Sequence, residues 1–196
     1  MAILFQSATQ PMNDILAFLH HRNSSPRLTD PAPQPEELEQ IFRAALRAPD
    51  HAWLRPWRFI TIGGERRRDL GDVLEQSLLQ RNPNADEAAR SKARNAPLRA
   101  PLVVVVVARL TEHPKVPPVE QRLSAGCAAH GVLLAAEACG YAGIWRTGDA
   151  AFDRRVMDAL GLAANEEIIG FLYLGTRDGA AKPLPRLEAG DFVSNW

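Results

Sequence analysis

Leu102 to Ala108 is an unbroken apolar run dominated by valine. A strand with one wet face alternates apolar and polar residues, so a run without alternation is buried on both faces. The run therefore forms a central strand, and the rest of the chain has to cover its sheet on two sides. It is also far too short to cross a bilayer, which takes about 20 apolar residues in a helix.

The material for that cover is helical. Pro35 suits the first turn of a helix, and Glu36, Glu37 and Glu39 favour its positive end. Leu38, Ile41, Phe42, Ala45 and Leu46 then recur at helical spacing and define a buried stripe. Helices are also predicted from Met12 to His20, Glu65 to Gln80, Ala85 to Asn95, about Gln121 to Cys139, and Phe152 to Leu160. Phe59–Ile62, Tyr141–Trp145 and Ile168–Leu174 supply further strands. With 196 residues, 46% of them hydrophobic, the chain is long enough for a sizeable core. No repeat, linker or low-complexity tract divides it. The pattern predicts one α+β domain over residues 12–196, helices around a small mixed sheet, preceded by an extension over residues 1–11.

The 23 basic and 23 acidic side chains cancel. Without a basic excess to neutralise phosphates, nucleic acid is not an expected partner, and neither is a membrane. Met1 to Phe5 lacks the basic flank and length of a signal peptide. Cys127 and Cys139, if carried on one helix, stand roughly 18 Å apart, beyond disulfide reach. A reduced, cytoplasmic protein is the simplest reading.

Several familiar chemistries have no motif here. There is no Gly-x-Gly-x-x-Gly after a strand, no phosphate loop ending in Gly-Lys-Ser/Thr, and no Gly-x-Ser-x-Gly elbow. Cys127 and His130 lie one helical turn apart, but no second pair stands at ligand spacing, so no metal site is expected. His20-His21 reads as a solvated helix end.

Three elements remain. Arg22-Asn23-Ser24 follows a helix with a guanidinium able to fork onto phosphate oxygens, beside an amide and a hydroxyl; such a turn is also ordinary structure. In Arg47 to Phe59, Pro49 stops a helix, Pro56-Trp57 opens a strand, and His51, Trp53 and Arg55 lie between. This stretch reads equally as a binding loop on a rigid scaffold or as a solvated connection whose tryptophan plugs the core. The third is Gly143-Ile-Trp145-Arg146-Thr147-Gly148, where glycines let the main chain come close to a flat ligand. Its bland alternative is core packing for Trp145 and a surface ion pair for Arg146.

Taken together, Arg22-Asn-Ser24, Ala48-Pro-Asp-His51 with Pro56-Trp57, Lys92-Ala-Arg-Asn-Ala-Pro97, Ser124-Ala-Gly-Cys127, Gly143-Ile-Trp-Arg146 and Gly170-Phe-Leu-Tyr-Leu-Gly175 resemble the FMN-dependent nitroreductase family, in its small bacterial YdjA-like branch. The resemblance runs from Met12 to the C-terminus. It implies a three-layer sandwich of nitroreductase type and a homodimer with two FMN sites, each built from both chains. It implies that Arg22, Asn23 and Ser24 meet the flavin's phosphate end, that Arg47 and His51 reach the flavin from the partner subunit, and that Trp145, Arg146 and Thr147 lie along the isoalloxazine ring. The branch commonly has Arg-Arg-Ser where this chain has Asn23 in the middle, one cation fewer. Larger members carry a helical insertion over the active site; here only Leu110 to Val119 occupies that connection, so an open flavin face is expected.

The activity implied is transfer of a hydride from NAD(P)H through FMN to a small-molecule acceptor such as a nitroaromatic or quinone. Flavin N5 carries that chemistry, so no catalytic side chain is required, and Arg47 or Arg146 would stabilise the charge that develops on reduction. Two other readings stay open: a flavin-binding, sensing or storage protein with little turnover, and a structural protein without flavin.

Overall fold

The computed structural model describes residues 14–196, so the expected extension over residues 1–11 and the start of the first helix lie outside the described residues. The strands are β1 (Leu28–Thr29), β2 (Trp57–Gly63), β3 (Leu102–Arg109), β4 (Ala142–Arg146) and β5 (Glu166–Arg177). The helices are α1 (Asp14–His21), α2 (Pro35–Ala45), α3 (Arg66–Arg81), α4 (Glu87–Arg94), α5 (Pro118–Ala138) and α6 (Arg154–Ala159).

The valine run is β3, and it lies between β2 and β5. Val103 to Ala108 are wholly buried. Alternation splits the run between two cores. Val103, Val105 and Val107 pack with Leu70 and Leu74 of α3, Val156 and Met157 of α6, and Phe171 and Tyr173 of β5. Leu102, Val104 and Val106 pack with Ile41 and Ala45 of α2 and with Ala129, Val132 and Ala136 of α5. The result is the expected α+β sandwich of three layers, helix on sheet on helix. Each buried valine contributes about 1.5–3 kcal/mol through removal from water, which makes this strand the energetic centre of the fold.

The sheet is antiparallel at every pairing among the described residues, which corrects the expectation of a mixed sheet. Strands that neighbour each other in space here are joined by long helical excursions, a pattern that hydropathy cannot distinguish from a parallel crossover. On the side of β5 away from β3 sit the two-residue β1 and then β4, which pairs from Ala142↔Gly175 to Arg146↔Phe171. Among the described residues, no further strand pairs with the outer edge of β4.

β5 is longer than its apolar run because Glu166, at its start, is buried by ion pairing. Arg58 grips it in a fork of two 2.7 Å bonds, and Arg109 adds a third bond at 3.3 Å. These bonds, led by Arg58, hold the Glu166 carboxyl down at about 2 against the opposing effect of burial.

Candidate functional site

Residues 46–56 leave α2 and enter β2 through a strained loop. Ala52, Trp53 and Arg55 all have positive φ, at 60°, 56° and 49°. Each non-glycine residue in that region costs about 1–2 kcal/mol, so the surroundings must hold the loop in place. They do so by polar contacts: Asp50 Oδ2 accepts the Arg55 backbone N–H at 2.8 Å, Ser124 Oγ of α5 donates to the Pro49 carbonyl at 2.5 Å, and His51 Nδ1 lies 2.8 Å from Glu120 Oε2. Trp57 is the indole that plugs the core, whereas Trp53 stands 79% exposed.

β4 sends Trp145 and Arg146 to opposite faces. The Trp145 indole lies on Gly170 of β5, where no Cβ would fit, and reaches the α2–α5 side. There it helps line an open groove of about 710 Å³ with Arg47, Leu123, Cys127 and His130. Arg146 and Thr147 instead enter a cavity of about 690 Å³ under α3 and α4.

That cavity has an aromatic floor, Phe171 and Tyr173, and a cationic wall, Arg81, Lys92, Arg99 and Arg146. Among the described residues Asp149 is the one acid lining it, and it pairs with Arg81 at 2.7 Å, so positive charge remains in surplus. The Arg146 guanidinium sits 5.8 Å from the Tyr173 ring centre. Its Nε is buried and, among the described residues, has no acceptor. A buried donor without a partner costs about 1–3 kcal/mol, and an acceptor atom entering the cavity would relieve it. Burial pushes the Tyr173 phenol up, against the pull of Arg146 and Arg99.

Arg22, Asn23 and Ser24 run beside the outer edge of β4, tied there by the Ser25 N–H, which donates to the Gly143 carbonyl at 3.0 Å. Arg22 Nη1 donates weakly to Ser24 Oγ at 3.4 Å. Asn23 Nδ2 donates to the Lys182 carbonyl at 2.6 Å, so the irregular C-terminal tail crosses this segment at Lys182.

A model of the nitroreductase family matches residues 19–176. YdjA of Escherichia coli (strain K12), provisionally named an NAD(P)H nitroreductase, is 47% identical over 181 residues, spanning 92% of this chain and 93% of its own. A protein of Haemophilus influenzae (strain ATCC 51907 / DSM 11121 / KW20 / Rd) with the same provisional name is 37% identical over 183 residues, spanning 92% of this chain and 98% of its own. The chain belongs to the nitroreductase family. The crystal structure of a nitroreductase-like family protein from Bacillus cereus superposes with a TM-score of 0.79 at 23% identity, over 96% of this chain and 99% of the other. The FMN and NADPH-dependent nitroreductase NfnB of sphigopyxis sp. strain HMH superposes at 0.74 with 20% identity, over 92% and 97%. At those identities the likeness is one of fold.

On this nitroreductase fold the eight residues singled out from sequence fall into separate places. Arg22, Asn23 and Ser24 are at the β4 edge, Arg146 and Thr147 in the cationic cavity, Arg47 and Trp145 in the groove, and His51 on the strained loop. Lys92, Arg99 and Lys182 are not marked out by sequence alone; Lys92 has the one available signal, its place in Lys92-Ala-Arg-Asn-Ala-Pro97. Arg99 ends the short 3-10 turn Ala96–Arg99 and Lys182 lies in an irregular tail, so neither has a periodicity to read.

Proposed function

We propose that this nitroreductase-family chain is a homodimeric, FMN-dependent oxidoreductase that accepts a hydride from NAD(P)H and reduces nitroaromatics, quinones or similar small acceptors. The observation that carries the reading is the buried Arg146 Nε without an acceptor, facing a cation-lined cavity with an aromatic floor. A planar, electron-poor ring with carbonyl oxygens at one edge and a phosphate at the far end suits that chemistry. The cavity volume of about 690 Å³ also lies within the range of cofactor pockets.

FMN, when bound, supplies the hydride chemistry. Lys92 and Arg146 would hold the carbonyl-bearing edge of the ring, and Arg146 would offset the negative charge that develops there on reduction. Arg22 and Ser24, with Lys182 of the tail beside them, would hold the phosphate. Arg47 and His51 would serve the flavin of the partner subunit. The Glu120 contact holds His51 at the end of α5 and so fixes where the loop can reach.

The dimer reading is supported by apolar side chains left in water. Leu46, Val119 and Leu123 flank the groove at 52%, 56% and 64% exposure, and Phe192 and Trp196 of the tail are also exposed. Reconstitution tests the function directly. Apoprotein should take up one FMN per chain, and loaded enzyme should turn over a nitroaromatic and a quinone with parallel double-reciprocal lines against NAD(P)H. Tight FMN uptake with no turnover of any acceptor would mark a binding or storage protein instead.

A further inference from the structure

Next to the groove lies a second hollow of about 610 Å³ whose walls include Arg47, Asp50, Trp53, Arg55, Trp57 and Arg109. Arg47 and Ala48 line both spaces, so the two meet along one rim. Its charge is unbalanced. Asp50 gives Oδ2 to a backbone N–H, and Arg109 is engaged with Glu166 at 3.3 Å. The side chains of Arg47 and Arg55 have no ion pair among the described residues. The Arg55 guanidinium lies 6.0 Å from the centre of the exposed Trp53 ring. The loop holds this pair outward through its left-handed residues rather than letting the indole fold into the core.

We propose that the Arg47–Trp53–Arg55 hollow binds the adenosine-phosphate half of the nicotinamide donor. An exposed indole offers a stacking platform for a base, and arginine adds a cation over that stack. Two guanidiniums lining one hollow suit phosphate oxygens, which guanidinium forks match in geometry. The inference rests on the proposed NAD(P)H activity and names which residues of this chain recognise that donor. On the shared-site reading, the loop serves the flavin of the opposite protomer.

The probe is adenosine 2′,5′-bisphosphate, a donor fragment that cannot transfer hydride. It should bind FMN-loaded protein in a calorimetric titration and compete with NADPH. Trp53→Ala and Arg55→Gln should each weaken its binding about tenfold and raise the NAD(P)H KM by a similar factor, with the FMN content of the purified protein and its dimer mass as in the wild type. Wild type that is reduced by NAD(P)H, paired with variants unchanged in both KM and fragment binding, overturns the inference while leaving the proposed function standing. Variants that lose FMN or fall apart into monomers also overturn it, because Trp53 and Arg55 then serve the flavin or the subunit contact rather than the donor. If the wild type is not reduced by NAD(P)H at all, the proposed function fails, and fragment binding in the same titration still decides whether the hollow is a nucleotide site.

Discussion

Arg146 and Arg22 are both guanidiniums, yet their surroundings differ. Arg146 is half-buried over Tyr173 with an orphaned Nε, whereas Arg22 sits at the β4 edge bonded only loosely to Ser24. A phosphate contact persists in both redox states of a flavin, and a charge-assisted hydrogen bond contributes about 1.5–3 kcal/mol. Arg22→Ala should therefore weaken FMN binding about ten- to a hundredfold in calorimetric titration of the apoprotein, with the midpoint potential little moved. Arg146→Ala should lower the midpoint potential in a redox titration by more than it weakens binding of oxidised FMN. The reverse pattern would make Arg146 the phosphate ligand. Gly170 offers a test free of cofactor: its Cα lies under the Trp145 indole, so Gly170→Ala must displace the ring. The expected loss of about 1–3 kcal/mol, the usual cost of overpacking, would be read from urea unfolding, and an unchanged midpoint would show that the indole is free to move.

At the scale of elements, the valine run made the central strand legible because two-sided burial leaves no other pattern. The stripe of α2 and the apolar length of α5 were equally readable. Strand direction was not, since antiparallel neighbours separated by helices look the same in hydropathy as parallel ones. Nor was the two-residue β1, or the charged start of β5, where Glu166 is buried by Arg58 rather than by apolar neighbours. The same limit governed the site. Trp145, Arg146 and Thr147 are consecutive in sequence, but the alternation of β4 sends the first two to opposite faces. Cavity walls built from α3, α4 and the turn that carries Arg99 come from sequence distant from β4 and show no common signal.

The Glu166 cluster makes an element-scale prediction. Its carboxyl titrates at about 2 in the fold, below the usual 4.5, so its stabilisation is complete above about pH 5 and fades as pH falls toward 2. Glu166→Gln leaves Arg58 facing a neutral partner and should cost about 3 kcal/mol at pH 7. The gap between variant and wild type in chemical unfolding should narrow steadily between pH 5 and pH 2. A gap independent of pH would mean that packing, not charge, is what the residue supplies.

For the whole molecule, the account joins two incomplete surfaces: a cationic cavity on one face of the sheet and an apolar, half-exposed groove on the other. Light scattering of loaded protein should return twice the 21.6 kDa chain mass, and a monomer that keeps its FMN would end the shared-site reading. The central claim is that this fold carries a flavin and passes electrons through it, and an anaerobic titration of the FMN-reconstituted protein tests it most directly. The account predicts one FMN per chain, loss of the flavin absorption bands on adding NADPH or NADH, and their return on adding a nitroaromatic or quinone. Protein that takes up no FMN, or whose flavin stays oxidised under an excess of both donors, would contradict it.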